Sequence, residues 1–329
     1  MEPTTIQAIA GGVSPGYALL AGMQLGVFTA LAGRPMGHDE LGRVLGVDAR
    51  RLRLLLYALA AVGLLRVEDG RFVNTPEADE FLVEGTPRSM AGLHELWSEM
   101  WRAQSQTASS SRTGRPQAEH DYATMDEAQL LPIIRGLRPN AVAAGRAVAA
   151  HYDFSAHRRL LDIGGGSGGL AVALAAACPE LRATVVDLPT VAVIARRLVA
   201  EAEAAERVEV CEADLLAGPP PGGEYDVAVA RAFVQVLGPE EAARALANVG
   251  RALRSGGELY VIGAVLEDDR LAPRPAVLFN LVTLNFYDRG EAYTISEHRG
   301  WLRDAGFDDV QVDWNTMPAG NSVVRARKR

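Results

Sequence analysis

The stretch from Leu160 to Gly169 constrains the fold more than any other part of the chain. It has the sequence LLDIGGGSGG, an apolar run that ends in an acid and is followed by a glycine-rich loop. The alanine- and leucine-rich segment 170–178 predicts a helix that ends before Pro179. A strand, a glycine loop and a helix in this order open a nucleotide-binding α/β sheet, because the glycines let a ligand approach the backbone and the helix N-terminus offers free N–H groups.

Strands and helices continue to alternate from this loop to the C-terminus. Apolar runs predict further strands at 183–186, 208–211, 225–230, 258–263, 307–313 and 322–327. Further helices are predicted at 191–205, 239–253, 276–287 and 296–305. The last two strands have no helix between them, so one of them is expected to be antiparallel. The pattern predicts an α/β fold, a Rossmann-like doubly wound sheet of seven strands whose last hairpin is antiparallel.

Length, charge and cysteine content exclude several classes of protein. A chain of 329 residues favours two domains, and its net charge of −8 argues against a nucleic-acid surface. No apolar run reaches the roughly 18 residues that indicate a membrane-spanning helix, and the N-terminus lacks the features of a signal peptide. Cys178 and Cys211 are too few for a disulfide framework, and no spacing of histidines and carboxylates predicts a metal site. We expect a cytoplasmic protein that does not associate with membranes.

Residues 1–90 predict a mainly helical domain of winged-helix type. The expected elements are helices at 18–31, 38–45 and 50–63, the last capped by Asp48, and a hairpin of strands at 64–68 and 71–74 around Asp69–Gly70. Segment 51–62, where a DNA-reading helix would lie, is mostly apolar, and the region holds eight arginines against ten carboxylates. A DNA-binding surface needs a basic face for the phosphates. We therefore expect this domain to pack or dimerise.

Residues 91–150 form a connector between this domain and a nucleotide-binding domain at 151–329. A helix is expected at 90–108, a loop at 109–116 and mostly helix at 125–150. The connector carries side chains that can reach over the cleft of the second domain, namely Trp101, Arg112, Arg115, His120 and Tyr122. A solvated loop beside a packed helix is an equally good interpretation of the same residues.

The charges around the glycine loop bear on the kind of nucleotide. Gly164, Gly166 and Gly169 satisfy G-x-G-x-x-G, and Asp187 follows at about the distance of a dinucleotide site. However, Asp162 precedes the glycines, where a carboxylate repels a pyrophosphate and suits a cationic ligand. Asp214 adds a third acid at the end of the third predicted strand.

These motifs resemble those of class I methyltransferases that use S-adenosylmethionine (SAM). The chain resembles in particular the small-molecule O-methyltransferase family, which includes acetylserotonin and hydroxyneurosporene O-methyltransferases and has an N-terminal winged-helix dimerisation domain. The resemblance covers nearly the whole chain and is carried by Leu161–Gly168, Val186–Pro189, Ala213–Leu215, Ser255–Gly257, Tyr293–Thr294, Trp301–Leu302 and Ala305–Phe307. It implies a homodimer that binds SAM and a small-molecule acceptor.

The resemblance also assigns roles at the cofactor site. The loop with Gly164, Gly166 and Gly168 would pass under the methionine part of SAM. Asp187 would bind the ribose hydroxyls, and Asp214 and Leu215 would hold the adenine. The remaining residues of this implied cofactor site are Asp162, Leu188 and Arg231, the last of them near the sulfonium.

The residue at the position of the family's catalytic base cannot act as one. Members that methylate phenols have a histidine in a His-Asp-Trp run after the fourth strand, and here Gln235 takes its place. The carboxylates that orient that histidine align with Gly263 and Ala292. Glutamine positions but does not accept a proton at neutral pH, so we expect an acceptor that is already nucleophilic, such as a thioether, thiolate, carboxylate or unprotonated amine. His298 and His120 are alternative bases, although Ser296 favours an exposed helix start around His298.

A polar helix face is predicted to line the acceptor pocket. Asn280, Thr283 and Tyr287 have helical spacing and would share one face, joined by Gln235 and Tyr293. Arg112 or Arg115 would fix an anionic substrate.

The same region also resembles the methylthiohydroxybutyrate S-methyltransferases of the dimethylsulfoniopropionate pathway. This resemblance favours S-methylation of a thioether acid such as 4-methylthio-2-hydroxybutyrate. The alternatives are O-methylation of a secondary metabolite and a SAM-binding protein that no longer methylates.

Overall fold

The computed structural model describes residues 2–86 and 88–329. The chain divides after Glu99 into two compact units, which are described separately below. Among the described residues, no helix has the length and apolar character needed to cross a membrane.

The first unit is mainly helical. Its elements are α1 Thr4–Gly11, α2 Val13–Gln24, α3 Val27–Leu31, α4 His38–Leu45, α5 Ala49–Ala61, β1 Leu65–Glu68, β2 Arg71–Asn74, α6 Pro76–Phe81 and the start of α7 Leu93–Gln104. The single helix predicted at 18–31 is interrupted, because Gly26 adopts a left-handed conformation with φ 70°. Asp48 caps α5 as predicted by accepting a hydrogen bond from the Arg51 N–H.

The predicted hairpin is confirmed in the first unit. β1 and β2 pair antiparallel, and both turn residues, Asp69 and Gly70, have positive φ. Phe72 on β2 packs into a buried core with Phe28 and Leu56. The buried Nδ2 of Asn74 donates to the Phe28 carbonyl and joins β2 to α3.

The second unit contains the large sheet and its covering helices. Its helices are α8 Thr107–Thr113, α9 Glu127–His151, α10 Gly169–Ala177, α11 Pro189–Glu201, α12 Pro239–Ala252, α13 Arg274–Phe286 and α14 Ile295–Asp304. Its strands are β3 Arg159–Ile163, β4 Arg182–Asp187, β5 Val208–Glu212, β6 Tyr225–Arg231, β7 Leu253–Gly263, β8 Val265–Leu266, β9 Tyr293–Thr294, β10 Phe307–Met317 and β11 Asn321–Lys328.

The predicted seven-stranded sheet is confirmed, with the order β10-β11-β7-β6-β3-β4-β5. Strands β3 to β7 are parallel, whereas β11 pairs antiparallel with both β7 and β10. Because β3, β4 and β6 pair in register, their carboxyl ends meet at one edge. Two apolar cores cover the two faces of the sheet.

Two local predictions in this unit are wrong. Residues 107–113 form α8 where a loop at 109–116 was expected, because Gly114 in a left-handed conformation ends a short helix whose serines contact other elements. Strand β7 begins at Leu253, five residues before the predicted start at residue 258, so Ser255, Gly256 and Gly257 lie within it. Neighbouring strands thus extend the structure through glycines that local propensity assigns to a turn.

Helix α9 holds the glycine loop from one side. It continues through Pro132 and Pro139 as a single helix. Gly145 permits close packing, since a Cβ there would lie 2.6 Å from the Leu170 carbonyl oxygen. Arg138 donates from its guanidinium to the Ser167 carbonyl at 3.0 Å. The connector therefore positions the loop that begins α10.

Candidate active site

Acidic side chains gather where β3 and β4 end. Asp162 lies opposite Val185 in the register, and Asp187 is the last residue of β4. The Asp187 carboxylate accepts hydrogen bonds from the Gly166 N–H and the Leu188 N–H, both at 2.8 Å. Asp187 is thereby joined to the glycine loop, and burial raises its pKa to about 6.

Asp162 is a buried carboxylate with an unpaired oxygen. It is 1% exposed, and its Oδ2 has no hydrogen-bond partner in the described part of the chain. Burial raises its pKa to about 7; the charge of Asp187 adds to this shift, while the Ala171 N–H and the Arg231 charge oppose it. Burial likewise lowers the pKa of Arg231. An unpaired buried acceptor next to a glycine loop fits a cationic ligand.

The glycine loop leaves its backbone open to a ligand. Gly164, Gly166 and Gly168 all have positive φ, which favours glycine at each position. A Cβ at Gly166 would meet no atom within 4 Å, whereas one at Gly164 would lie 2.6 Å from the Phe233 ring. The loop thus has open space at Gly166 and an aromatic wall at Gly164. These features fit the methionine part of SAM.

The third acid lies beside the first two. The Ala213 N–H donates to the Asp187 carbonyl at 3.0 Å, which brings Asp214 next to the end of β4. Asp214 is exposed and accepts from the Leu216 N–H at 2.8 Å. Leu215 is buried in the core, and its carbonyl accepts from the side chain of Asn248.

Gln235 is held in one orientation by the backbone. It lies in a 3₁₀ turn, Val234–Val236, that follows β6, and it is 8% exposed. Its Oε1 accepts a hydrogen bond from the Ala264 N–H at 3.0 Å. A Cβ on Gly263 would overlap this oxygen. The small residue at 263 therefore makes room for the amide, and the Gln235 NH₂ remains as a donor.

His298 is buried, and its predicted exposure is wrong. Helix α14 begins at Ile295 with Thr294 as its cap, so His298 faces inwards and is 2% exposed. Its Nδ1 lies 2.9 Å from the Thr294 carbonyl, which accepts the ring proton. Burial lowers its pKa, against smaller opposing effects of the Thr294 carbonyl and the Glu297 charge. The ring is thus neutral at pH 7.

The predicted acceptor wall is partly different in the structure. Asn280 accepts from the Ala292 N–H at 2.7 Å, and the buried Thr283 hydroxyl donates to the Asn280 carbonyl at 3.2 Å. Tyr287 does not share their helix face, because α13 ends at Phe286 and Tyr287 is extended. The Tyr293 hydroxyl donates to the Leu237 carbonyl at 2.6 Å, which fixes it beside the turn of Gln235.

Residues 118–122 connect the C-terminal end of α13 to the N-terminal end of α11, at the sheet edge where Asp187 lies. The Ala118 and His120 N–H groups donate to the carbonyls at the end of α13, and the Thr190 hydroxyl at the start of α11 donates to the Tyr122 carbonyl. The His120 ring packs edge-on against Phe286 at 4.7 Å. His120 and Tyr122 are therefore held at this edge of the sheet.

Three more connector residues were predicted to contact the acceptor, namely Arg112, Arg115 and Trp101. Arg112 lies on α8 and Arg115 on the loop after it, and both are exposed. Trp101 on α7 is half-buried.

Asn285 is a residue that sequence reasoning missed. It is fully buried, accepts from the Ser110 hydroxyl at 2.7 Å and donates to Thr107 Oγ1 and the Leu281 carbonyl. The cluster ties α13 to α8. The available signal was an asparagine between the apolar residues Leu284 and Phe286, but helical spacing alone pointed to Asn280.

Comparison with known proteins identifies two family domains. Residues 9–84 match the O-methyltransferase dimerisation domain, and residues 95–308 match the O-methyltransferase domain. A 3-hydroxy-5-methyl-1-naphthoate 3-O-methyltransferase of Streptomyces sahachiroi is 30% identical, over 99% of this chain and 95% of that protein. An acetylserotonin O-methyltransferase of Mus musculus molossinus is 31% identical, over 92% and 83%.

A solved structure has the same fold. Human N-acetylserotonin methyltransferase in complex with SAM superposes with a TM-score of 0.85 at 24% identity, covering 100% of this chain and 98% of that one. The S. sahachiroi and mouse relatives are both named as O-methyltransferases. They support the alternative of O-methylation, and they give no support to the expected S-methylation of a thioether acid. The chain belongs to the small-molecule O-methyltransferase family with an N-terminal dimerisation domain, and it is a SAM-dependent methyltransferase.

Proposed function

We propose that this enzyme methylates an acidic oxygen, one that has already lost its proton at the working pH. The observation that carries the proposal is the fixed amide of Gln235, whose Oε1 is taken by the Ala264 N–H. A backbone N–H can only donate, so the oxygen must face Ala264 and the NH₂ must face away. At the position that the family resemblance assigns to a base, this chain thus offers a hydrogen-bond donor.

A donor at this position suits an anionic acceptor. An N–H aimed at an oxygen anion stabilises and orients it, whereas a neutral hydroxyl would still need a base. Phenols acidified by ring substituents, hydroxyaromatic acids and carboxylates have such an oxygen. The S. sahachiroi relative, which is named for a hydroxynaphthoate, makes an acidic aromatic ring the best model for the acceptor.

SAM supplies an electrophilic methyl group when it is bound. A lone pair of the acceptor oxygen forms the new C–O bond while the bond from the methyl carbon to sulfur breaks, and its electrons stay on sulfur. The negative charge of the oxygen and the positive charge of the sulfonium are both neutralised. We propose that Asp162 faces the positive charge of the cofactor, with Arg231 limiting the net negative charge there. Asp187 would accept from the ribose hydroxyls with the lone pairs left by its two N–H bonds. Asp214 would hold the adenine, together with the backbone around Leu215.

Residues at the rim would orient the acceptor rather than activate it. Tyr293 and Asn280 are both committed to backbone partners and would shape the pocket as fixed walls. His120 and Tyr122 would cover the ring from the connector side. Well-oriented reactants gain up to about 7–11 kcal/mol in a bimolecular step, so positioning can supply much of the rate.

We further propose that the enzyme is a cytoplasmic homodimer formed through its N-terminal unit. The match of residues 9–84 to a dimerisation domain supports the assembly. The free thiols of Cys178 and Cys211 are consistent with a reducing compartment.

A panel of acceptors with labelled SAM tests the proposal. The panel pairs nitro-substituted phenols and hydroxynaphthoates with unsubstituted phenols of the same size, and adds a thioether acid and an amine. We expect label in the acidic oxygen acceptors and at least tenfold less in the unsubstituted phenols near pH 7, because few of the latter are ionised. Transfer to the thioether acid alone, or equal transfer to both classes of phenol, would contradict the proposal.

A further inference from the structure

Gln235 and His298 line one small cavity at the ends of β6 and β7. The cavity has room for about one water molecule, and Tyr293 and Val265 also line it. The Tyr293 hydroxyl is bonded to the Leu237 carbonyl, and most other lining side chains are apolar. Among the described residues that line this space, Gln235 and His298 contribute side-chain nitrogens, whereas the Tyr293 oxygen is left only as an acceptor.

The Nε2 atoms of these two lining residues are complementary. The Gln235 Nε2 carries two protons, because its Oε1 is the atom bonded to the Ala264 N–H. The His298 Nε2 carries a lone pair, because its Nδ1 proton is given to the Thr294 carbonyl. Neither Nε2 has a hydrogen-bond partner among residues 2–86 and 88–329. One water can accept from the first and donate to the second.

We propose that His298 is a positioning residue: through one water in this cavity it holds the Gln235 amide with its NH₂ as the donor toward the acceptor oxygen. The inference rests on the proposed function, in which the fixed donor serves an ionised acceptor oxygen. The chain Thr294–His298–water–Gln235–Ala264 ends in backbone groups on both sides. The bonds at the two ends each have one direction, because a carbonyl accepts and a backbone N–H donates. The Ala264 N–H therefore sets which way the amide faces, and the water holds the NH₂ in place.

The fixed orientation has a purpose at the reacting oxygen. One Gln235 proton goes to the water, and the other is left for the acceptor. A flipped amide would present Oε1 to an oxygen anion, and two acceptors repel each other. Misplacing a reacting group by about 1 Å can lower the rate on the order of 10²-fold, so the position of the amide has a measurable effect.

Two amide substitutions at position 298 test the role. His298→Gln places an amide oxygen near the position of the ring Nε2 and keeps an acceptor for the water. His298→Asn is too short to reach the cavity, although it resembles the ring on the Nδ1 side. We expect His298→Asn to lower kcat at least about tenfold with the KM for SAM unchanged, and His298→Gln to retain kcat within about threefold. Equal activity of the two variants, or equal loss in both, would overturn the proposal, and melting temperatures verify that each is folded.

A crystal structure of the wild-type enzyme with S-adenosylhomocysteine provides a readout independent of the acceptor. We expect a water at about 2.7–3.2 Å from both Nε2 atoms, present in His298→Gln and lost in His298→Asn. Absence of that water from the wild type would overturn the inference while leaving O-methylation intact. Conversely, failure of the enzyme to methylate acidic oxygens would refute the proposed function, and the water would still be measurable.

Discussion

At the scale of single residues, Gly263 determines the position of the Gln235 amide. Its lack of a side chain makes space for Oε1, and its peptide unit leads to the N–H that binds it. We expect Gly263→Ala to displace the amide and lower kcat roughly tenfold or more without weakening SAM binding, since the glycine loop follows β3 and Gly263 ends β7. Steady-state kinetics and SAM titration measure both quantities.

A double-mutant cycle is the control for this prediction. If Gly263→Ala acts through the amide, it should change little in a Gln235→Ala background. An equal loss of kcat in both backgrounds would show that the substitution damages the site by another route.

Asp162 makes stability and cofactor binding depend on pH in opposite directions. Its pKa of about 7 exceeds that of an unfolded aspartate, so the folded chain holds a proton that the unfolded chain has released. The free energy of unfolding contributed by this group therefore falls as pH rises from about 4 to 7. A cationic ligand favours the charged carboxylate, so SAM binding should strengthen from pH 6 to 8.

Asp162→Asn should remove both effects. We expect the free energy of unfolding of the ligand-free protein at pH 8 to rise by about 2 kcal/mol, because a neutral amide replaces a poorly solvated charge. SAM affinity at pH 8 should fall about tenfold and lose most of its dependence on pH. Calorimetric titration between pH 6 and 8 measures this. A variant that binds SAM like the wild type at every pH would show that Asp162 does not face the cofactor.

At the scale of elements, two helix glycines have opposite roles. Gly145 in α9 packs against the backbone of α10, so a methyl group there would collide with Leu170. Gly300 in α14 has open space at its Cβ position. We expect Gly145→Ala to destabilise the protein by about 1–3 kcal/mol and to weaken SAM binding through the loop before α10. Gly300→Ala should stabilise by about 0.5–1 kcal/mol.

Chemical denaturation of the two variants measures the difference. Since both substitutions add the same methyl group to the interior of a helix, helix propensity cancels in the comparison. Equal stability of the two variants would mean that α9 and α10 do not pack as closely as described.

The same elements show what the sequence alone could predict. The strand ends bearing Asp162 and Asp187 were predictable, because each acid directly follows an apolar β-branched or leucine-rich run. The burial of His298 and the hydrogen bonds of Asn285 to α8 were not predictable, because both depend on which face of a helix meets another element. The prediction that Tyr287 shares a helix face with Asn280 was wrong for a related reason, since helical spacing does not show where a helix ends.

At the scale of the whole molecule, the first unit carries an apolar surface that suits dimerisation. Ile6, Ile9 and Val13 are largely exposed and spaced three and four residues apart along α1 and the start of α2. We expect Ile9→Glu to shift the protein from dimer toward monomer, because it places a charge in the apolar surface. Gln7→Glu, which adds a charge beside this surface, is the control. Sedimentation velocity measures the fraction of dimer in both variants. An unchanged dimer in Ile9→Glu would place the interface elsewhere.

We propose that the enzyme as a whole receives its acceptor oxygen already ionised. The most direct test is the pH dependence of kcat/KM for two naphthols of equal size and different acidity, at saturating SAM so that Asp162 does not contribute. We predict that the rise in kcat/KM follows each acceptor's own pKa, so the two profiles are displaced by the difference between those values. Two profiles with the same midpoint would reveal a base on the enzyme and contradict the account.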